Sequence, residues 1–334
     1  MKKYFLGIAA VGFAMLMSQG ASAACGSVTI AEMNWASAGL MANVDKIILE
    51  KGYGCDATLV PGDTMPTFTS MNEKGAPDVA PEVWTNSFSG PLKAAIGEGR
   101  IHSANPSPIT GLGEGWWIPP KTAADHPELK TVLDVINHPE LFPYKEDPSK
   151  GAFVTCPAGW GCQLSNANLY RAFDMEAKGW VLVDPGSAAG LDGSMAKAVE
   201  RGENWFGYYW SPTAMIGKYN MVPVPWGVEF AGSDNWDGCI AKPEQECADP
   251  KPSAWTKSEV QTLITDSFKM KGGDASDYLA SRVYPGPVMN AMLVYMQDNQ
   301  ADGADAAMEF LSTHKDVWTK WVSPEVAEKV MAGM

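Results

Sequence analysis

The sequence predicts an α/β protein of two lobes, each built around its own β-sheet. Three observations support this prediction. Apolar runs of strand length alternate with longer amphipathic runs in the first part of the chain. The same alternation starts again after the "GEGWWIPP" segment at residues 113–120. A chain of 334 residues is also long enough to build two separate cores.

The elements of the first lobe alternate between strand and helix. The order is a strand at 27–35, a helix at 37–54 with Ser37 as candidate N-cap, a strand at 55–62, a short helix at 64–75 and a strand at 77–86. A β-α-β-α-β order of this kind is typical of a parallel sheet.

The elements of the second lobe repeat this order. They are a strand at 151–157, a helix at 163–175, a strand at 179–186, a helix at 188–202 and a strand at 205–210. We expect the Pro- and Cys-bearing stretch 232–253, and helices at 258–268 and 286–299, to return to the first lobe. The predicted division is therefore 24–112 with 217–334 for lobe 1, and 113–216 for lobe 2.

The first 23 residues have the features of a secretory signal. Two lysines precede an apolar run that ends in the small residues Ala21, Ser22 and Ala23. No later segment offers the roughly 20 apolar residues of a transmembrane helix. The chain is acidic, with 39 Asp and Glu against 25 Lys and Arg, which disfavours a nucleic-acid partner. We expect a soluble, monomeric protein of the periplasm.

Six cysteines follow the predicted signal, and an even number in an exported chain points to disulfides. Local spacing suggests that Cys156 pairs with Cys162 and Cys239 with Cys247, which leaves Cys25 for Cys55. A metal site is disfavoured because the chain has four histidines and none lies beside a cysteine pair. We therefore expect no metal and no cofactor.

Tryptophans are concentrated at the predicted strand ends, where ligands gather in open α/β sheets. The five concerned are Trp35, Trp84, Trp160, Trp205 and Trp210. The last two flank one strand, which has room to aim only one of them into a cleft. Converging indole faces attract an alkylated ammonium group, which carries charge but has no N–H to donate. Packing explains the tryptophans inside strand or helix patterns, which are Trp180, Trp255, Trp318 and Trp321.

These tryptophans, together with the segments "DVAPEVW", "GEGWWIPP" and "YYWSPTAMIGKYNMVPVPW", resemble the glycine betaine and choline substrate-binding proteins of ABC importers. The resemblance implies a two-lobed periplasmic binding protein of type II with a ligand cleft between the lobes. It also implies a small quaternary or tertiary methylated amine as ligand and an ABC permease in the inner membrane as partner.

Within that family, the pattern is most similar to receptors for trimethylamine N-oxide, whose cage combines four tryptophans and one glutamate. That similarity implies a site made of Trp35, Trp84, Trp160, Trp205 and Glu114. Similarity to the betaine receptors instead implies Trp210, which precedes a Ser-Pro step. Trp205 and Trp210 are therefore the two candidates for the fourth tryptophan of the cage.

Glu114 distinguishes the candidate ligands. A buried Glu114 has a raised pKa and, when protonated, donates to an N-oxide oxygen. An ionised Glu114 attracts choline and repels the carboxylate of glycine betaine. Trimethylamine N-oxide is therefore the favoured ligand, with choline or glycine betaine as alternatives. The alternative role for Glu114 is that of a solvated carboxylate that contacts no ligand.

An exported enzyme on the same scaffold is the alternative from a different class. The sequence contains no G-x-S-x-G, H-E-x-x-H or P-loop motif, so we expect no catalytic residues. A receptor also has to close on its ligand, and we expect hinges near residues 112–119 and 208–216.

Overall fold

The computed structural model describes residues 25–334, so the predicted signal at 1–23 lies outside the described residues. This part of the chain forms two five-stranded sheets, each with its own helices, which confirms the two-lobed α/β prediction. The strands are β1 Ser27–Met33, β2 Asp56–Gly62, β3 Val79–Trp84, β4 Ile101–Asn105, β5 Gly113–Ile118, β6 Gly151–Val154, β7 Trp180–Val183, β8 Gly207–Ser211, β9 Val222–Pro223 and β10 Val260–Thr265.

Helices cover both sheets. They are α1 Ala36–Ile47, α2 Thr64–Lys74, α3 Ser89–Gly97, α4 Pro120–Asp125, α5 Val132–Val135, α6 Gly161–Ala172, α7 Ala188–Arg201, α8 Ala214–Tyr219, α9 Ser233–Asn235, α10 Asp266–Gly272, α11 Asp274–Ser281, α12 Gly286–Asn299, α13 Gly303–Thr313, α14 Lys315–Trp318 and α15 Pro324–Gly333. No helix in the described part of the chain is long and apolar enough to cross a membrane.

The first sheet has the order β2-β1-β3-β10-β4. Strand β1 is parallel to β2 and β3, which confirms the parallel arrangement predicted for these three strands. Strand β10 is antiparallel to both β3 and β4, so the sheet as a whole is mixed. The predicted helix at 258–268 is wrong over β10. That run is rich in β-branched residues and almost entirely buried, so its pattern of apolar residues does not separate a buried strand from a buried helix.

The second sheet has the order β7-β6-β8-β5-β9. Strand β6 is parallel to β7 and β8, while β5 is antiparallel to β8 and β9. The short strand β9 lies beyond residue 216, so the chain leaves this sheet later than the predicted division placed it. The remaining bounds of the two lobes stay a prediction.

The Pro- and Cys-bearing stretch 232–253 packs between the lobes. The prediction that this stretch returns to the first lobe alone is therefore wrong. Asn168 on α6 donates its amide N–H groups to the carbonyl oxygens of Cys239, Ile240 and Lys242. On the other side, the indole N–H of Trp236 donates to the Asn86 carbonyl in the first lobe at 2.7 Å. The stretch therefore contacts both lobes.

Three disulfides cross-link the described chain. They join Cys25 to Cys55, Cys156 to Cys162 and Cys239 to Cys247, which is the pairing that local spacing suggested. Structural disulfides of this kind are typical of proteins that fold outside the reducing cytoplasm.

Candidate ligand-binding site

A small cavity lies between the two lobes, at the carboxyl ends of β1, β3 and β8. Its walls are close together, since the Trp160 ring lies 5.3 Å from that of Trp35 and 5.1 Å from that of Trp210. We call it the cage cavity, and its lining residues are Trp35, Thr64, Trp84, Ser87, Glu114, Trp160, Gly161, Cys162, Tyr208 and Trp210.

The walls from the first lobe are Trp35 and Trp84. Trp35 follows β1 as the residue before α1, and Trp84 is the last residue of β3. Because β1 and β3 are parallel neighbours, their carboxyl ends meet at one edge of the sheet and bring the two indoles together. Both indole N–H groups donate to Oε1 of Glu82, at 2.8 Å from Trp35 and 2.9 Å from Trp84.

Ser37 was predicted to cap the first helix, and this prediction is wrong. The residue at the N-cap is Trp35, which makes no side-chain capping bond. The Ser37 hydroxyl instead donates to the same Glu82 oxygen at 3.0 Å.

Sequence reasoning missed Glu82, which is fully buried behind these two walls. Every residue of β3 is buried, so an acid inside that strand was the signal that could have revealed it. Alternation along a strand places Glu82 on the same side as Trp84, two residues later. Burial raises the pKa of Glu82, while the bonds from Trp35, Trp84 and Ser37 oppose that rise.

The first wall from the second lobe is Trp160, which lies in the disulfide loop, residues 156–162. Its indole N–H crosses the cleft to Oδ1 of Asn34 at 2.7 Å, and its ring meets the edge of Trp35 with centroids 5.3 Å apart. The Met65 amide at the start of α2 donates to the Gly159 carbonyl at 3.1 Å. This loop therefore contacts the opposite lobe directly.

The other walls from the second lobe come from the antiparallel pair β5 and β8. Tyr208 and Trp210 are two residues apart and so lie on one face of β8. Glu114 lies directly opposite Trp210 in the pair and therefore shares that face. The ring of Trp210 meets Trp160 edge to face at 5.1 Å.

Trp205 does not reach the cage cavity. It precedes the amino end of β8, whereas the cavity lies at the carboxyl end, and its indole N–H donates to Ser194 at 3.1 Å. A side chain at Gly207 would come within 2.7 Å of the Trp205 ring, so this ring packs against the first residue of β8. Of the two candidates for the fourth tryptophan, the structure brings Trp210 and not Trp205 to the cavity.

The Glu114 carboxyl group is enclosed at the cavity wall. Its Oε1 accepts a hydrogen bond from the Tyr208 hydroxyl at 2.8 Å, and its Oε2 is buried without a hydrogen-bond partner among the described residues. Burial raises the pKa of Glu114, and the polar groups of Tyr208, Ser258 and Trp255 only partly oppose it. This residue of the cavity lining therefore has one carboxyl oxygen that makes no hydrogen bond to the described residues.

The start of α6 also lines the cavity through Gly161 and Cys162. The first amide groups of a helix have no partner within the helix, and they favour an anionic oxygen. A side chain at Gly161 would come within 2.6 Å of Ser87, so glycine is what allows this close approach of the two lobes.

Comparison with known proteins places the chain in a family. Residues 26–313 match the model described as the substrate binding domain of ABC-type glycine betaine transport systems, and the chain belongs to this family. It is thus a substrate-binding protein of the ABC-importer type and not an enzyme.

Solved structures show the same fold. An ABC-transporter choline binding protein in complex with choline has a TM-score of 0.71 at 16% identity, covering 92% of this chain and 98% of its own. The glycine betaine, L-proline ABC transporter protein ProX from Borrelia burgdorferi has a TM-score of 0.69 at 16% identity, covering 91% and 99%. Lactococcal OpuAC with glycine betaine has a TM-score of 0.66 at 17% identity, covering 89% and 100%.

Proposed function

We propose that this protein captures a methylated amine osmolyte in the cage cavity, with trimethylamine N-oxide as the favoured ligand. In this proposal it works in the periplasm and delivers the ligand to an ABC permease of the inner membrane. Four tryptophans and Tyr208 surround the cavity, and aromatic faces attract methylated nitrogen without requiring an N–H donor. The fold relatives that were solved with choline and with glycine betaine support this ligand class.

Glu114 is the observation that favours trimethylamine N-oxide. Burial raises its pKa, and a protonated carboxyl group donates from its free oxygen to the N-oxide oxygen. An ionised Glu114 would repel the carboxylate of glycine betaine, and no cation from the protein lines the cavity to compensate.

The start of α6 supports glycine betaine as the second candidate. Backbone amides of Gly161 and Cys162 offer a place for a carboxylate on the side of the cavity formed by the disulfide loop. Choline is the third candidate, and it requires Glu114 to be ionised so that the carboxylate faces the cation.

Calorimetric titration of the protein without its predicted signal tests the proposal. Trimethylamine N-oxide, choline, glycine betaine and carnitine are titrated in turn, and trimethylamine N-oxide is expected to bind most tightly and to be released chemically unchanged. Tighter binding of glycine betaine would instead support the α6 start as the main polar site. Binding of none of the four would overturn the proposed function.

A further inference from the structure

Glu82 lies at the centre of a buried network behind the cage cavity. Three side chains donate to one of its two carboxyl oxygens, Oε1: the indoles of Trp35 and Trp84, and the hydroxyl of Ser37. The Glu82 side chain is fully buried and does not line the cavity, whereas both indoles do. One acceptor thus joins two walls of the cavity from behind.

We propose that Glu82 is a positioning residue that sets the orientation of the Trp35 and Trp84 rings for ligand binding. This inference rests on the proposed function, because it assumes that the ligand occupies the cage cavity. Glu82 itself makes no contact with the cavity, so its effect on binding passes through the two indoles.

The geometry explains why a shared acceptor matters. An indole has one N–H group, and when that group is bonded to a fixed acceptor, the ring cannot turn without breaking the bond. Because both indoles use the same oxygen, their N–H edges are fixed relative to each other as well as to the sheet. Attraction of a cation depends on the ring face that it meets, and rings ordered beforehand reduce the loss of freedom on binding.

Arg282 partly offsets the cost of burying the Glu82 carboxyl group. Arg282 is fully buried and lowers the pKa of Glu82, against the larger effect of burial, which raises it. Arg282 also lies 2.8 Å from Asp45, which is buried as well, and donates to Thr262 at 3.1 Å. Replacement of Glu82 therefore leaves Arg282 with its partner Asp45, and the core keeps a paired charge.

Substitutions at Glu82 test the proposal by calorimetry, with whichever of trimethylamine N-oxide, choline and glycine betaine the wild-type protein binds most tightly. Glu82→Met removes the acceptor with little change in length and should weaken binding by about tenfold or more. Glu82→Gln keeps an oxygen that accepts from both indoles and should stay within about threefold of the wild type. Ser37→Ala removes only the third donor and should also stay within about threefold.

Ser194→Ala is the matched control, because Ser194 accepts the indole N–H of Trp205, outside the cavity. It should leave the affinity unchanged. Circular dichroism and the melting temperature show whether each variant is folded.

A folded Glu82→Met protein with wild-type affinity would overturn the positioning role and leave the proposed function standing. Equal losses in Glu82→Met and Glu82→Gln would overturn it too, since the amide oxygen should rescue a role that depends on accepting hydrogen bonds. No binding of any of the three ligands by the wild type would overturn the proposed function and this inference together.

A measurement on the wild-type protein keeps the test decisive if Glu82→Met does not fold. In the unliganded protein, the indole N–H groups of Trp35 and Trp84 should exchange slowly with solvent deuterium, with Trp35→Phe and Trp84→Phe identifying their signals. Fast exchange of either indole would show that the ring is not fixed before binding and would overturn the proposal.

Discussion

The side chains of the cage cavity are placed by specific partners. Trp35 and Trp84 share Glu82, Trp160 donates to Asn34 across the cleft, and Glu114 accepts from Tyr208. Each of these bonds satisfies a polar group that would otherwise be buried without a partner. The indole N–H groups of Trp35, Trp84 and Trp160 are thus bonded to protein oxygens, so a ligand meets these three residues through their rings.

The tryptophans of the cavity should contribute to affinity, and those of the core to stability. Trp84→Ala or Trp160→Ala should weaken ligand binding by about 1 to 2 kcal/mol, which is the size of one cation–π contact shielded from water. Trp180→Ala should lower the free energy of unfolding by about 3 to 5 kcal/mol with a smaller effect on affinity, since Trp180 is buried in the second lobe.

Titration and thermal unfolding of the same variants measure both effects, and Trp205→Ala is a further control outside the cavity. If Trp180→Ala or Trp205→Ala weakened binding more than Trp84→Ala in a folded protein, the assignment of the walls would be wrong.

Substitution of Glu114 should separate the three ligands. For trimethylamine N-oxide, Glu114→Gln keeps a donor and part of the affinity, while Glu114→Ala should cost about 1 to 3 kcal/mol. For choline, Glu114→Gln removes a full charge beside the cation and should weaken binding although the shape is kept. For glycine betaine, either change should be neutral or favourable, because a repulsion is removed.

Affinities of all three ligands for the wild type and both variants measure this pattern. Equal affinity of each ligand for every variant would mean that Glu114 has no contact with the ligand.

The pH dependence of binding should report the protonation of Glu114. Burial raises its pKa, so the protonated donor persists to higher pH than in an exposed carboxyl group and is lost as pH rises through that value. As pH rises through that raised pKa, binding of trimethylamine N-oxide should therefore weaken, and binding of choline should strengthen. Titrations at a series of pH values measure the slope, and Glu114→Gln should flatten it. A slope that persists in Glu114→Gln would assign the effect to another group.

The strands and loops decide which of these side chains meet. Tyr208, Trp210 and Glu114 share one face because of the period of β8 and the register of its pair with β5. Trp205 falls at the other end of the same strand. The sequence shows that Trp205 and Trp210 lie at opposite ends of one strand. Which of these ends faces the cleft depends on the direction in which β8 runs beside β6.

The disulfide loop should order Trp160 before the ligand arrives. Replacing both Cys156 and Cys162 with serine should weaken binding by about 1 kcal/mol, because the loop then has to be ordered on binding. The control replaces Cys25 and Cys55, whose bond lies within the first lobe and away from the cavity. It should lower stability without lowering affinity. Titration and thermal unfolding distinguish the two, and an equal loss of affinity in both pairs would contradict this role for the loop.

Sequence patterns predicted several elements of the first lobe, including the fully buried strand β3, but they did not identify β10. The alternation of the first lobe gave β1, α1, β2 and α2, whereas β10 was predicted as a helix because Val260, Leu263 and Ile264 follow the i, i+3, i+4 spacing of a helix. Glu82 was not predicted as part of the site because its contact with Trp35 depends on the pairing of β1 with β3. Contacts between distant segments of this kind leave no local pattern.

The two lobes meet through bonds that a closing motion would make and break. Trp160 and Gly159 from the second lobe bond Asn34 and Met65 from the first, at 2.7 and 3.1 Å. The predicted hinges at 112–119 and 208–216 correspond largely to β5 and β8, which are paired with each other inside the second sheet. Strands fixed in a sheet are poor hinges. The segments that cross between the sheets are 106–112 and 224–259, and they are the places where the backbone can turn.

Ligand binding should therefore draw the lobes together about these two crossings. The walls of the cage cavity come from both lobes, so a ligand that contacts Trp35 and Trp160 at once favours the closed arrangement over an open one. Small-angle scattering should show a smaller radius of gyration at saturation with trimethylamine N-oxide than without it. Asn34→Ala removes the acceptor of the Trp160 indole and should shift the unliganded protein towards the open arrangement, with weaker binding as a consequence. An unchanged radius of gyration on saturation, in a protein that calorimetry shows to be fully bound, would contradict closure and leave the cavity as a rigid site.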